Sequence, residues 1–321
     1  MKQLAMRAVP FSKEQISMIE KLITQYGYSL LQLDENKNYS EDVLKHSELL
    51  VGYFPFALIK KATPLKWYHT PSAGVDKFVD VSIYPNANVM LTNSSGAFGN
   101  SIAEHLIMSA LILLRKARIY QKQQQEKVWK NAGEIGSICN SVVTIIGMGN
   151  IGNTFAKYCK AMGAIVRGVK SSDTKKPDYV DTQYLTADIN KAIEGADIVA
   201  SCLPYTKHTD KLIDENCISS MKKTTIFLNV GRGKTVDQTA LIKALSENRI
   251  AGAALDVAEI EPMPQDCPLW EMENVIVTPH MSGHDDDILN ANSIFDIYYK
   301  NLCSYMSGGK LDNVVDFQKG Y

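Results

Sequence analysis

The run Val142-Val143-Thr144-Ile145-Ile146, followed at once by Gly147-Met148-Gly149-Asn150-Ile151-Gly152, constrains this chain more than any other segment. Five apolar or β-branched residues read as a buried strand, and Gly-x-Gly-x-x-Gly at its end reads as a turn opening a helix over 151–162. Gly147 permits the tight turn, Gly149 lets backbone approach a pyrophosphate, and Gly152 lets the helix pack closely on the strand. The amides of the first helical turn then face the anion. Glycines serve ordinary turns too, so the weight comes from the residues on either side. Apolar runs recur at 142–146, 164–169, 197–203, 224–230, 251–257 and 274–277, with helical patterns at 187–194, 214–221 and 237–247 between them. Six buried strands with helical crossovers predict a complete dinucleotide-binding sheet.

The first hundred residues alternate in the same way. Strands are expected at 3–9, 28–33, 49–53, 66–69 and 89–92, and a helix at 12–26 with Ser12 as its N-cap. A long helical pattern over 100–130, carrying Ile102, His105, Leu106, Ala110 and Leu113, reads as the passage between domains. The tail 286–306 reads as a helix returning to the first domain. With 321 residues the chain suits two domains. The expectation is an α/β protein with two parallel sheets, residues 1–98 and 286–321 forming one domain and 99–285 the other.

Composition excludes several function classes. Apolar residues make up 45% of the chain, which a disordered chain lacks. Lys and Arg total 34 against 35 Asp and Glu, so there is no electrostatic footprint for nucleic acid or an anionic membrane. The longest apolar stretch, 106–114, is about half a membrane span, and no apolar secretory segment follows Lys2. Cys139, Cys159, Cys202, Cys217, Cys267 and Cys303 are scattered without a Cys-x-x-Cys pair. No metal site or disulfide scaffold is expected, and reduced thiols in a cytoplasm fit the pattern.

In open parallel sheets, ligands bind beyond the carboxyl ends of the strands. Past the second nucleotide-domain strand an Asp or Glu would accept hydrogen bonds from the ribose of NAD. Here stand Lys170, Ser171 and Ser172, with Lys175 and Lys176 beyond. A cation there suits the 2′-phosphate of NADP. The bland alternative is a solvated lysine beside a site that still takes NAD. Later strand ends carry Gly231-Arg232-Gly233, then Asp256 with Glu261-Pro262, then Thr278-Pro279-His280. A cation, a carboxylate and an imidazole thus emerge on the edge of the pyrophosphate turn.

At this point the chain resembles the D-isomer-specific 2-hydroxyacid dehydrogenase family, which includes glyoxylate/hydroxypyruvate reductases and phosphoglycerate dehydrogenases. The matching segments are Ile145 to Gly152, Leu203-Pro204-Tyr205-Thr206, Asn229-Val230-Gly231-Arg232-Gly233, Val236-Asp237 and Leu255-Asp256-Val257. Glu261-Pro262, Pro268-Leu269-Trp270, Asn274-Val275 and Thr278-Pro279-His280 follow in order, and Ser72-Ala73-Gly74-Val75-Asp76 and Ala103-Glu104-His105 match in the first part of the chain. The resemblance implies two Rossmann- or flavodoxin-like domains with the active site in the cleft between them.

Carried over by position, the resemblance makes Arg232 the clamp on the substrate carboxylate and carbonyl, for which a planar guanidinium suits better than a lysine. It makes His280 the acid and base, with Glu261 fixing its tautomer and favouring its protonated form. The amides of Ser72, Ala73 and Gly74 would hold the substrate carboxylate, and Asp256 would contact the nicotinamide carboxamide. Asn150, Ile151, Leu203, Pro204, Thr209, Val230, Gly231 and Gly283 would line the cofactor beside Gly147, Gly149, Gly152, Lys170 and Ser171. It also implies a homodimer built through the nucleotide domain, the 100–130 region wrapping the partner.

Glu104 and His105 read as helix-start structure, and His46, His69, His208 and His284 as surface or loop residues. Tyr53 and Phe54 suit either a pocket wall or an ordinary strand end. The chain departs from the family pattern at 138–141, where the usual Gly-Lys pair is missing. It departs again at Ala258, where an aromatic residue is frequent, and in the acidic run His284-Asp285-Asp286-Asp287. The acidity of that run could tune substrate choice. With no further domain expected after Tyr321, serine feedback of the phosphoglycerate dehydrogenase kind is not expected either.

The resulting expectation is a reductase of small 2-keto acids yielding the D-2-hydroxy acid, with NADP(H) preferred and NAD(H) as the alternative. A different class, a nicotinamide-sensing corepressor-like binding protein on the same fold, would keep the cofactor site without needing Arg232, Glu261 and His280. Glyoxylate, hydroxypyruvate and longer 2-keto acids differ only in how loops of the first domain fill the pocket.

Overall fold

The computed structural model describes residues 2–285 and 287–320, so Asp286 of the acidic run lies outside the described residues. From the amino terminus run β1 (Lys2–Arg7), α1 (Lys13–Thr24), β2 (Tyr28–Leu33), β3 (Ser47–Gly52), α2 (Phe56–Lys61), β4 (Trp67–Thr70) and β5 (Met90–Asn93). The strands form one parallel sheet in the order β2-β1-β3-β4-β5. Helix α1 starts where the sequence says it should. The Ser12 hydroxyl accepts from the Gln15 amide, and the Gln15 side chain accepts from the Ser12 amide. Strand β1 stops at Arg7 rather than continuing to residue 9, because Ala8 turns into the left-handed region at φ +48°. His69 falls in the strand expected over 66–69 but is buried, so it is neither the surface nor the loop residue expected of it. It lies within β4, whose four residues are all buried, as a parallel strand covered on both faces requires.

The second part begins with α3 (Gly99–Leu114) and α4 (Ala117–Gln125). These replace the single helix expected over 100–130. The break falls at Lys116, which is left-handed at φ +54° and whose ammonium bonds the Ala132 carbonyl at 2.7 Å. Then come β6 (Val142–Ile146), α5 (Asn150–Ala161), β7 (Ile165–Lys170), β8 (Thr182–Leu185), α6 (Ile189–Ile193), β9 (Ile198–Ser201) and α7 (Glu215–Ser219). The series ends with β10 (Ile226–Asn229), α8 (Gln238–Ser246), β11 (Gly252–Leu255) and β12 (Val275–Val277). This parallel sheet has seven strands, ordered β12-β11-β10-β9-β6-β7-β8. The strand missing from the sequence reading is β8. It is an edge strand, Thr-Gln-Tyr-Leu, with no fully buried residue, so it carries no apolar run.

The chain closes with α9 (Ile288–Met306), N-capped by Asp287, whose carboxylate accepts from the Leu289 amide at 2.8 Å. Its Tyr298 ring stacks on Trp67 at 5.7 Å, so this tail packs with the first sheet. Residues 1–98 and 284–321 form one compact unit, and Gly99–Gly283 the other. The second crossing lies at Gly283/His284 rather than at 285/286, and α3 belongs to the second unit from its first residue.

Candidate functional site

The turn after β6 has the backbone that its glycines promise. Gly147 is left-handed at φ +98°, and a Cβ there would stand 2.9 Å from the Cys202 carbonyl oxygen. At Gly152 a Cβ would fall 2.1 Å from the Gly147 oxygen, so the helix can approach the strand only with glycine. Gly149 differs: no described atom lies within 4 Å of its Cβ position. Gly149 also caps α5 without a side-chain hydrogen bond, so the first amides of that helix stay open. An open face beside a helix N-terminus is what a pyrophosphate needs.

Strand β7 ends at Lys170, whose ammonium bonds the Thr174 hydroxyl, and Ser171 and Ser172 are exposed. The exits of β9, β10 and β11 are knitted together. A Cβ on Gly231 would lie 2.4 Å from the Leu203 oxygen, and one on Gly233 would lie 1.9 Å from the Ala258 oxygen. Between those glycines Arg232 is half-buried, its Nη1 donating to the Gly231 carbonyl at 2.8 Å. Thr209 closes the turn after β9 by donating to the Pro204 carbonyl at 2.7 Å, and Val230 is buried at the end of β10.

Past β12, His280 is left-handed at φ +53°, and its amide donates to the Asp256 carbonyl at 2.8 Å. The imidazole Nδ1 lies 2.8 Å from Glu261 Oε2, and the other carboxylate oxygen accepts from the Ala258 amide at 3.1 Å. With Nδ1 occupied, Nε2 is the ring nitrogen left to face a reactant. Both side chains are about half exposed, so the pair is reachable.

Behind it, Asp256 is 2% exposed. Its Oδ1 accepts from the Thr278 hydroxyl at 2.6 Å and the Met281 amide at 2.9 Å, and its Oδ2 from the Ser282 amide at 3.0 Å. Burial alone would raise this carboxyl, but the bonds from Ser282, Thr278 and Met281 outweigh it and hold it below the usual carboxylate range. Because the Thr278 hydroxyl donates to Asp256, it accepts from His105 Nε2, 3.3 Å away. Burial lowers the His105 imidazole from its ordinary range, against the opposing pull of Asp256.

In the first unit, Ser72, Ala73 and Gly74 follow β4 on the carboxyl edge of the sheet. Their carbonyls are all engaged, accepting from the Ser94 amide at 3.1 Å, Asn93 Nδ2 at 2.8 Å and the Ser72 hydroxyl at 2.8 Å. Their amides donate to nothing among the described residues, which leaves three open N–H groups in a row. Phe54 is core, edge-on to Tyr68. Burial first, and then the Asp285 carboxylate, push the Tyr53 phenol above its usual range.

The family described as D-isomer specific 2-hydroxyacid dehydrogenase, NAD binding domain, matches residues 107–282. A glyoxylate reductase of Korarchaeum cryptofilum (strain OPF8) is 31% identical over 246 residues, 74% of this chain and 72% of the relative. The chain belongs to the D-isomer-specific 2-hydroxyacid dehydrogenase family. Glyoxylate/hydroxypyruvate reductase B of Enterobacter sp. (strain 638) is 30% identical over 270 residues, 81% of each chain. The crystal structure of a D-isomer specific 2-hydroxyacid dehydrogenase from Xanthobacter autotrophicus Py2, in complex with NADPH and MES, superposes with a TM-score of 0.83. It is 25% identical and covers 100% of this chain and 99% of that one.

This dehydrogenase is therefore an oxidoreductase with a Rossmann-type NAD-binding unit. Among its described residues no helix is long and apolar enough to cross a membrane. Along the carboxyl edge of its seven-stranded sheet stand Gly147, Gly149, Asn150, Ile151, Gly152, Lys170, Ser171, Leu203, Pro204, Val230, Gly231, Arg232, Asp256 and His280, on successive strand exits. Glu261 reaches that edge through its loop, and Gly283 follows the Ser282 amide that Asp256 holds. Asp256 is occupied on both oxygens by the segment that follows β12, a bracing part that the sequence reading did not assign to it. His105 and Thr278 were also missed as members of that brace. Their signal was the pair of motifs Ala103-Glu104-His105 and Thr278-Pro279-His280, whose contact the sequence does not express.

Proposed function

We propose that this dehydrogenase reduces small 2-keto acids to D-2-hydroxy acids with NADP(H) preferred over NAD(H). The observation that carries the reading is the 2.8 Å pair of His280 Nδ1 and Glu261 Oε2, standing on the same sheet edge as the open glycine turn. The bound nicotinamide supplies the hydride. As it reaches the carbonyl carbon, His280 Nε2 delivers a proton to the carbonyl oxygen, and in the reverse direction it takes the hydroxyl proton. Glu261 holds Nδ1, fixes which ring nitrogen faces the substrate and balances the imidazolium charge. Arg232 offers parallel N–H donors to the keto acid. The role that the family resemblance gives the amides of Ser72, Ala73 and Gly74, holding a carboxylate, is supported by their having no hydrogen-bond acceptor among the described residues.

Glyoxylate and hydroxypyruvate are the substrates to try first, since the Korarchaeum and Enterobacter relatives are named for them. The NADP preference rests on Lys170, Ser171 and the lack of a carboxylate at 170–172, and the Xanthobacter relative binds NADPH. The paired proton donor serves turnover rather than cofactor binding alone, and this favours the enzyme reading over a corepressor-like sensor. We also propose a homodimer in the cytoplasm, where six unpaired cysteines are stable.

A panel of 2-keto acids, each assayed with NADPH and with NADH, tests the reading. Turnover of glyoxylate or hydroxypyruvate with at least about tenfold higher efficiency for NADPH, about 1.4 kcal/mol, is expected. Oxidation of neither nicotinamide by any 2-keto acid would overturn it.

A further inference from the structure

One asparagine ties the pyrophosphate turn to the loop that follows β7. Asn153 Nδ2 donates to the carbonyls of Met148 at 2.9 Å and Gly149 at 2.8 Å. These carbonyls belong to the turn whose amides face an anion, and a carbonyl aimed at that anion would repel it. Held on Asn153, they cannot turn inward. The amide orientation is forced, because a flipped Asn153 would set its oxygen against two carbonyl oxygens. The remaining atom, Oδ1, accepts from the Tyr179 hydroxyl at 3.0 Å.

Tyr179 lies near the end of the segment 171–181, which begins with Ser171 and Ser172. Two more side chains of α5 hold the same end. The Lys157 ammonium sits 5.3 Å from the centroid of the Tyr179 ring, and Lys160 bonds Asp181 at 2.6 Å. Asn153, Lys157 and Lys160 are spaced four and three apart, so they share one helix face. The segment between is exposed from Ser171 to Lys176. A loose segment would have to be ordered when a phosphate bound to it, and that ordering opposes binding.

We infer that Asn153 and Tyr179 are positioning residues for cofactor discrimination. By docking the 171–181 loop on α5, Tyr179 holds Ser171, and Thr174 whose hydroxyl the Lys170 ammonium bonds, in register with the glycine turn, so that a ribose 2′-phosphate is told from a 2′-hydroxyl. Asn153 acts on both cofactors, through the turn. The inference rests on the reading of Lys170 as the 2′-phosphate partner.

Calorimetry of the intact chain with 2′-phospho-ADP-ribose and with ADP-ribose tests it without catalysis. Tyr179→Phe removes one hydroxyl and should weaken 2′-phospho-ADP-ribose about 3- to 10-fold while leaving ADP-ribose within about twofold. Asn153→Ala should weaken both ligands. A merely structural Tyr179 would lower the melting temperature and move both ligands alike. If Tyr179→Phe moves both equally or neither, the clamp is wrong. A parallel Lys170→Ala variant separates the two ideas: loss of phosphate preference there, with Tyr179→Phe unchanged, leaves the NADP reading standing and removes the clamp. Equal binding of both ligands by the wild-type chain would overturn both.

Discussion

Gly149 and Gly152 stand three positions apart, and a methyl group added at each separates binding from folding. At Gly152 the new Cβ meets backbone oxygen at 2.1 Å, so Gly152→Ala should cost about 1–3 kcal/mol of stability, read by denaturant unfolding. At Gly149 the Cβ meets nothing, and φ −80° suits alanine. Gly149→Ala should therefore unfold as the wild type does but bind ADP-ribose roughly 10- to 100-fold more weakly, as lost hydrogen bonds to a charged group predict. Unchanged binding would remove the pyrophosphate from that turn. His280→Ala should lower kcat about 10²- to 10⁴-fold with ADP-ribose affinity unchanged. Arg232→Lys should instead raise KM for the keto acid about tenfold or more, because a point charge cannot replace two parallel donors. Near-normal turnover of His280→Ala would place the proton donor elsewhere. All four residues were legible in the sequence, since glycine spacing and strand-end polarity are local properties. The brace of His105, Thr278 and Asp256 was not, since 173 residues separate His105 from Thr278.

Helices α3 and α4 carry more apolar surface than their own unit covers. Met108, Ile119 and Tyr120 are exposed on them, and Val128, Trp129 and Ile135 just beyond, with Trp129 at 103% of its reference area. Such a concentration marks an interaction surface. A homodimer through this region, as proposed from the family resemblance, should appear in sedimentation at micromolar concentration. Trp129→Asp together with Met108→Asp should shift it to monomer. A monomeric wild type would contradict the proposal. The apolar runs that became β6, β7 and β9 to β12 could be read from sequence because a strand buried on both faces needs nearly every residue apolar. Strand β8 could not, since an edge strand with half-exposed residues writes no such run. The break between α3 and α4 was equally silent. No glycine or proline marks residues 115–116, and the ties at that point come from Ala132 and Gly136.

The stability of the chain should depend on pH through a histidine that the proposed reaction does not use. His69 is fully buried, its Nδ1 2.8 Å from the Thr92 hydroxyl and its Nε2 3.1 Å from the Ser94 hydroxyl. Trp67 Nε1 donates to the same Thr92 oxygen, and Ser94 donates to the Thr70 carbonyl, so the imidazole is held neutral with its proton on Nε2. Burial pushes it down to about 3 from 6.5. Below pH 6.5 the unfolded chain takes up a proton that the folded chain refuses, so stability present above 6.5 is lost as pH falls toward 3, at up to ~1.4 kcal/mol per unit. Denaturant unfolding at pH 7 and pH 5 should show a larger loss for wild type than for His69→Gln. Equal losses would mean that His69 is protonated in the fold. The sequence by itself determined two parallel sheets, the glycine turn and the set of polar residues leaving the strand ends. Those follow from local backbone freedom, from apolar runs and from the single sense in which parallel strands connect. Only the tertiary structure decided that Glu261 meets Nδ1 of His280, that Asp256 braces the segment after β12, that Tyr179 reaches Asn153 and that His69 is sealed in the core. Each of those depends on groups well separated in sequence, and no local preference encodes which partner a polar group will find.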